Sequence, residues 1–294
     1  MIPASGELRG KRDEVAEAAN VLARLGLVTA YGHVSARGGT SMLITPAADL
    51  ALVTASAVLE VPLAACAPGD LPAGVPAEAW AHLALYRARP DAVAIARAQP
   101  ASAFAVAATA TSLVPLHGQA AWLGESVPVH DGAVLLRSFE LAESAARSLP
   151  AGEALLLRGN GALTLGATAG VAVARMWLLS AACQVYLTAA AAAGSGPVTP
   201  LSAEEVASWR AVRDELLPRL WQHLRRVSEP GSWPPADPRP APLADPPPAR
   251  EEQGEAEDRD HRRPPAPRVM PLDLGEEREH GGGDAGAEQT RPAS

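Results

Sequence analysis

The sequence predicts an α/β fold for residues 8–228, in which a mostly antiparallel sheet is covered by helices. Segments with the apolar spacing of helices interleave with alternating segments that are typical of strands. Several predicted strands also follow one another through short turns, whereas parallel strands need long crossover connections. Residues 229–294 are rich in Pro, with 15 acidic and 8 basic residues and few aliphatic ones, which predicts a disordered acidic tail.

The first elements are the most clearly patterned. Apolar residues recur at helical spacing over 8–25, and Gly26 is suited to end that helix. A glycine pair inside residues 28–46 predicts a two-stranded hairpin, and a turn and another strand follow over 50–63. The remaining predicted elements are a short helix between Pro76 and Pro90, a strand at 91–99, a helix at 100–110, a loop and strand at 114–131, an amphipathic helix at 138–149, a strand–turn–strand unit at 153–166, an Ala-rich helix at 172–194 and one C-terminal helix at 202–227.

Charge and composition exclude several classes of protein. The formal charge of −8 belongs to the tail, because residues 1–228 hold 18 acidic and 17 basic residues. A folded region without a basic stripe argues against nucleic-acid binding, which needs clustered Lys and Arg. The charged N-terminus has no apolar signal segment, and Arg175 and Gln184 interrupt the Ala-rich helix, so we expect no membrane association. Cys66 and Cys183 lack the spacing of a zinc or redox motif and are expected to be buried, reduced thiols of a cytoplasmic protein.

The stretch AIARAQPASA, residues 94–103, is the first candidate site. Arg97 and Gln99 lie two residues apart, so their side chains share one face of the predicted strand. Two polar side chains on one face of an apolar strand indicate a site or the remains of one.

Several ordered motifs resemble the class II aldolase/adducin family over about residues 10–195. They are GLVTAYGHVSARGG, MLITP, PAEAWAHLALYRARPDAVAI and LLLRGNGALTLGATAGVA, followed by the Ala-rich helix. The GHVSAR variant, with His33 after Gly32, resembles the adducin-like and decarboxylase-like branch. The resemblance implies a single αβα domain, a homo-oligomer that is usually a tetramer, and active sites between subunits. It also implies a divalent metal, commonly zinc, on three histidines, and a Glu that exchanges protons with the substrate.

The sequence departs from the family pattern at each metal ligand. The His-x-His pair of the family aligns with Arg97-Ala98-Gln99, and its Asn-His-Gly turn aligns with Gly159-Asn160-Gly161. Arginine has no lone pair to donate, and two amide oxygens beside a guanidinium make a very poor zinc site. We therefore predict that the family's zinc site is lost and that no metal cofactor is held there.

Two of the three loops with which the family binds phosphate have also lost their hydroxyl groups, which leaves the Gly32 turn and Thr45. Ala47-Ala48 and Pro76-Ala77 stand where the resemblance leads us to expect Ser and Gly residues. We therefore expect a small, non-phosphorylated carbonyl or carboxylate ligand rather than a sugar phosphate.

Glu78 aligns with the proton-exchanging Glu of the family and has two interpretations. It is either an acidic residue favoured at the start of a helix by the helix dipole, or the partner of Arg97, with one cation replacing another. In the second interpretation a site remains, with Glu78 as the catalytic acid/base and Arg97, Gln99, Asn160, Gly32 and His33 as substrate-binding residues.

Three functional hypotheses follow from these replacements. The first is a pseudoenzyme or scaffold for a small molecule or an assembly. The second is a metal-independent lyase of the aldolase or decarboxylase type, in which Arg97, Gln99 and Asn160 donate hydrogen bonds to a developing oxyanion. The third is a relocated metal site that uses His33, His117 or His130, whereas His82 is interpreted as a packing residue.

Overall fold

Helices cover both sides of one mixed sheet in the computed structural model, which describes residues 5–194 and 196–229. The strands of the sheet are β1 (His33–Gly38), β2 (Ser41–Ile44), β3 (Leu59–Pro62), β4 (Ala94–Ala98), β5 (Ser112–Leu113), β6 (Val127–His130), β7 (Ala154–Leu157) and β8 (Gly161–Gly166). They lie in the order β3-β2-β1-β4-β8-β7-β6-β5. Neighbouring strands are antiparallel except for β6 and β7, which are parallel. The predicted α/β class with a mostly antiparallel sheet is confirmed.

The helices divide between the two faces of the sheet. They are α1 (Ser5–Arg24), α2 (Ala79–Ala88), α3 (Ala101–Thr109), α4 (Phe139–Arg147), α5 (Ala169–Ala193), α6 (Ala203–Ala211) and α7 (Arg213–Val227). We call the side of the sheet that is covered by α1, α3 and α5 the first face. Helix α7 packs on α5. The second face is covered by α2 and α4, which also pack against each other.

Alternation along β4 shows why the two faces differ. Ala94, Ala96 and Ala98 belong to the core beneath α1, α3 and α5, where small side chains let the helices approach closely. Ile95 points to the second face, and Arg97 two residues later contacts Glu78 at the start of α2. Gln99 follows the end of the strand, because Pro100 cannot continue the ladder.

Two expectations from the sequence are wrong. The predicted single C-terminal helix is two helices, broken at Val212. The break lets Trp209 sit on Gly118 and Trp221 on Gly170, where added Cβ atoms would collide with the indole rings. Cys66 is exposed rather than buried, because it lies in the loop that leads to α2. The predicted tail begins at residue 229, and its residues from 230 onward lie outside the described part of the chain.

Helix α5 is long and apolar enough to cross a membrane, judged by length and composition alone. Its first half is buried in the core beneath the sheet, and Arg175 within it donates to the Leu165 carbonyl of β8 at 2.8 Å. The contacts of this first half are those of a core helix.

Candidate active site

A polar cluster lies where β4 ends, centred on a fully buried arginine. Arg97 Nη2 donates to Glu78 Oε1 at 3.1 Å and to Asn160 Oδ1 at 2.5 Å. The Gln99 amide is assigned the orientation that satisfies both of its polar atoms, in which its oxygen accepts from Arg97 Nη1 at 3.3 Å and its nitrogen donates to the Tyr31 carbonyl at 2.9 Å. The structure thus brings together four of the residues that the sequence singled out.

A tight turn between β7 and β8 places Asn160 over the end of β4. Gly159 has a φ of +69° and Gly161 a φ of +92°, values that glycine adopts without steric cost. A Cβ atom at Gly161 would also collide with the carbonyl oxygen of Ala98. These glycines therefore let the turn close on β4 and hold the Asn160 amide against the guanidinium of Arg97.

Glu78 links the cluster to α2. It occupies the N-cap position, but its side chain makes no capping hydrogen bond. Oε1 instead accepts from Arg97 and, at 3.4 Å, from Asn160 Nδ2, and 13% of the side chain is exposed. The carboxylate is therefore positioned by Arg97 and Asn160 and keeps an edge toward solvent.

A second group of polar side chains continues from this cluster beneath α2. His33 on β1 is the cross-strand neighbour of Arg97, and its ring centroid lies 5.8 Å from that of His82 on α2. His82 Nδ1 is 2.8 Å from Ser35 Oγ, which is 2.9 Å from the Tyr86 hydroxyl. The α2 seam is our name for these residues together with Glu78 and Arg97.

Burial controls the charge of the seam. It lowers the pKa of His82 to about 3 and the pKa of His33 well below its usual value, with the Arg97 cation lowering both further. Burial also raises the pKa of Tyr86. At neutral pH both imidazoles and the phenol are therefore uncharged, and the ion pair of the seam is the one that joins Arg97 to Glu78.

Ser35 and Tyr86 were not singled out from the sequence, and His82 was interpreted only as packing. The spacing of Glu78, His82 and Tyr86 was a usable signal, because residues four apart lie on one face of a helix. Only the pairing of β1 with β4 shows that Ser35 lies beneath that face.

The residues at the family's ligand positions do not fit zinc. Arg97 has no lone pair, and both Asn160 Oδ1 and the Gln99 oxygen already accept hydrogen bonds from it. Among residues 5–194 and 196–229, no three His, Cys, Asp or Glu side chains are arranged to hold a metal ion. His130 Nδ1 instead lies 3.0 Å from Ser148 Oγ, and His117 is half-buried. The hypothesis of a relocated site on His33, His117 and His130 has no geometric support.

Gly32 has a packing role. It is buried, and an added Cβ would lie 2.5 Å from the Val28 side chain and 3.1 Å from the Arg97 carbonyl. The glycine therefore allows the chain to enter β1 directly beside the cluster. Its assignment as a substrate-binding residue stays a prediction.

Tyr31 and Val134, whose backbone carbonyls contact the cluster, have exposed apolar side chains, and so has Leu135, the next residue after Val134. Tyr31, Val134 and Leu135 are 68%, 48% and 49% exposed, and the Val134 carbonyl accepts from Asn160 Nδ2 at 3.2 Å. Two clefts of about 930 and 670 Å³ lie along α7 and α6 and include no member of the cluster. The cluster is a polar site at which the Glu78 carboxylate is partly exposed, and we call Tyr31, Val134 and Leu135 its apolar rim.

Comparison with known proteins identifies the relatives of this chain. The sequence model of a family described as Class II Aldolase and Adducin N-terminal domain matches residues 13–187. The 3,4-dihydroxyphthalate decarboxylase of Rhodococcus jostii (strain RHA1) is 29% identical over 210 residues, which cover 64% of this chain and 84% of the relative. The 3,4-dihydroxyphthalate decarboxylase of Terrabacter sp. (strain DBF63) is also 29% identical, over 224 residues that cover 69% of this chain and 90% of the relative.

Solved structures give the same picture of the fold. The L-fuculose-1-phosphate aldolase of Thermus thermophilus superposes with a TM-score of 0.57 at 29% identity, covering 66% of this chain and 100% of that one. An aldolase II superfamily protein of Pseudomonas syringae gives a TM-score of 0.64 at 23% identity. The match covers 77% of this chain and 94% of that protein.

Proposed function

This chain belongs to the class II aldolase and adducin family, and from that premise we propose that it is a pseudoenzyme that binds a small molecule at an arginine-centred site without metal chemistry. The supporting observation is the fully buried Arg97, whose two terminal nitrogens are bonded to the side chains of Glu78, Asn160 and Gln99. A guanidinium held in this way supplies positive charge but has no open coordination position. It cannot polarise a carbonyl as a Lewis acid does.

The expected ligand is a small, non-phosphorylated carboxylate or carbonyl compound. Ala47-Ala48 and Pro76-Ala77 offer no hydroxyl groups for a phosphate. His33 and the Asn160 amide lie beside the charged pair, and the exposed Tyr31 and Leu135 side chains suit an apolar body. Such a ligand would place its oxygen atoms toward the cluster and its carbon skeleton toward the rim.

A metal-independent decarboxylase is the second candidate. Both curated relatives are named decarboxylases, and the matches cover 84% and 90% of their lengths. In this alternative the bond between carbon and carboxylate breaks and CO₂ leaves. Glu78 first accepts the proton of a substrate hydroxyl, and the electron pair released by the broken bond is stabilised on a substrate oxygen by Arg97, Gln99 and Asn160. Glu78 then returns this proton to the carbon that lost its carboxylate, and the substrate oxygen regains a proton from water.

Elemental analysis and a turnover assay on one untagged sample separate these candidates. We expect less than about a tenth of an equivalent of zinc, a higher Tm with phthalate through preferential binding to the native state, and no CO₂ release from 3,4-dihydroxyphthalate. CO₂ release that is lost in Glu78→Gln would support the decarboxylase instead. Stoichiometric zinc would contradict both. The matched control is the triple variant Arg97→His, Gln99→His, Asn160→His, which restores three imidazoles and should gain zinc.

The proposal includes assembly and location. Following the family resemblance, we propose a cytoplasmic homotetramer, with partners limited to copies of this chain and the small ligand, and with no nucleic acid or membrane. Sedimentation should give about four times the 30.3 kDa chain mass.

A further inference from the structure

Three buried nitrogen atoms beside the site have no hydrogen-bond partner among the described residues. They are His33 Nδ1, His82 Nε2 and Arg97 Nε. The three side chains are neighbours, since His33 pairs with Arg97 across the strands and its ring centroid lies 5.8 Å from that of His82, with the two rings tilted by 57°. A buried donor left unbonded costs about 1–3 kcal/mol, so an oxygen acceptor placed among them would be favoured.

The proton of His82 can be located from the hydrogen bonds of the seam. Ser35 Oγ is the partner of the Tyr86 hydroxyl within the described residues, and it is also the partner of His82 Nδ1. If Tyr86 donates to Ser35, then Ser35 donates to Nδ1, and every hydroxyl proton is bonded. In the reverse direction the buried phenol proton would have no acceptor.

This chain of hydrogen bonds fixes the tautomer. Because Nδ1 accepts from Ser35, the single proton of the neutral imidazole lies on Nε2. Burial keeps the ring neutral at physiological pH, since it lowers the pKa of His82 to about 3. His82 therefore offers a hydrogen bond from Nε2 without being an acid that transfers its proton.

We propose that His82 Nε2–H is a ligand-binding donor, which bonds a carbonyl or carboxylate oxygen of the molecule held at the Glu78–Arg97 site. The inference rests on the proposed function, because it needs a ligand at that site. Ser35 and Tyr86 are positioning residues, which act on the ligand only by fixing the tautomer of His82. Arg97 Nε, a charged donor of the same seam without a partner among the described residues, would supply a second hydrogen bond to such a ligand.

The first part of the test needs no ligand. Ring ¹⁵N spectra of the full chain, labelled at histidine, report which nitrogen carries the proton. We expect His82 to be protonated at Nε2 alone at pH 7, and Ser35→Ala or Tyr86→Phe to give a tautomer mixture. The matched controls are Ser102→Ala, on the first face, and Tyr186→Phe, on α5, which should leave the His82 signals unchanged. A native His82 protonated at Nδ1 would overturn the inference and leave the proposed function standing.

The second part adds phthalate as the probe. Binding should shift the His82 Nε2 signal together with that of Arg97 Nε. His82→Leu should weaken binding about tenfold, and His82→Gln, which keeps a donor at a similar reach, should stay within about threefold.

The outcomes of the second part distinguish the two claims. Binding that shifts the Arg97 Nε signal but not the His82 Nε2 signal would leave the proposed function intact and overturn the inference, because the ligand would then not be bonded to His82. Binding unchanged in both His82 variants would also overturn it. If no change occurs in Tm or in either signal, both the inference and the binding function fail. Should His82→Leu not fold, Ser35→Ala tests the same donor and should weaken binding at least about threefold.

Discussion

The two faces of the sheet bury side chains from the same strands in contrasting ways. On β4, Ala96 packs into an apolar core under α5, whereas Arg97, the next residue, joins a network of side chains under α2. Polar groups buried on the first face, such as Thr164 and Ser102, donate to backbone carbonyls, at 2.8 and 3.0 Å. The seam on the second face is different, because its hydrogen bonds join side chains to one another.

This difference indicates where function and stability separate. A sheet needs only apolar alternation to be covered by helices, and the first face meets that need with apolar residues, which are small along β4. The second face buries an ion pair and two neutral histidines, an arrangement that is costly unless each group has a partner. Such a group of residues is expected at a site rather than in a core built for stability.

The largest effect is expected from removing the charge at the centre of the seam. Arg97→Leu leaves Glu78 partly buried without its cation and removes a donor from Asn160 and Gln99. We expect a loss of about 3–5 kcal/mol in the free energy of unfolding, measured by urea denaturation at pH 7. The matched control, Arg158→Leu, breaks an ion pair in which both side chains are largely exposed, and it should cost less than about 1 kcal/mol. Similar losses in the two variants would contradict the contrast between seam and surface.

A smaller effect is expected from acid. The native pKa of His82 is lowered to about 3 from its ordinary 6.5, so the unfolded chain binds more protons between these values. The stability from the neutral ring is complete above pH 6.5 and is lost as the pH falls toward 3, by about 2 kcal/mol at pH 5. His33, whose pKa is also lowered, adds a loss in the same direction.

Paired denaturation curves at pH 7 and pH 5 check this expectation. His82→Gln has no titrating ring at this position, so it should lose about 2 kcal/mol less than the native chain over that interval. An equal loss in both proteins would show that His82 is not the buried neutral group described above.

The smallest effect is expected on the first face. Ala96→Gly should cost about 1 kcal/mol, because glycine loses more backbone freedom on folding and leaves a small space under α5. The loss should be the same at pH 5 and pH 7, since the core around Ala96 is built from apolar side chains. A loss that changes with pH would mean that the two faces are coupled through the sheet.

Much of the fold and the core of the site could be predicted from the sequence. Periodicity led to the predicted strands and helices up to α5, and the motifs around Arg97, Asn160 and Glu78 led to a cluster that the structure also shows. The break at Val212 could not be predicted, because it depends on where Trp209 and Trp221 find glycines on distant elements. The role of Ser35 was equally hidden, since a small hydroxyl in an apolar strand has no distinctive pattern.

The sequence by itself determined the α/β class, the family and the identities of the residues at the ligand positions, because these depend on local spacing and on residue type. The tertiary structure alone decided which partners those residues have. Arg97 is bonded to Glu78 and Asn160, which lie 19 and 63 residues away, and His82 faces a serine 47 residues away. Hydrogen bonds across such distances depend on strand register and on how α2 lies over the sheet, and neither is encoded in any short segment of the chain.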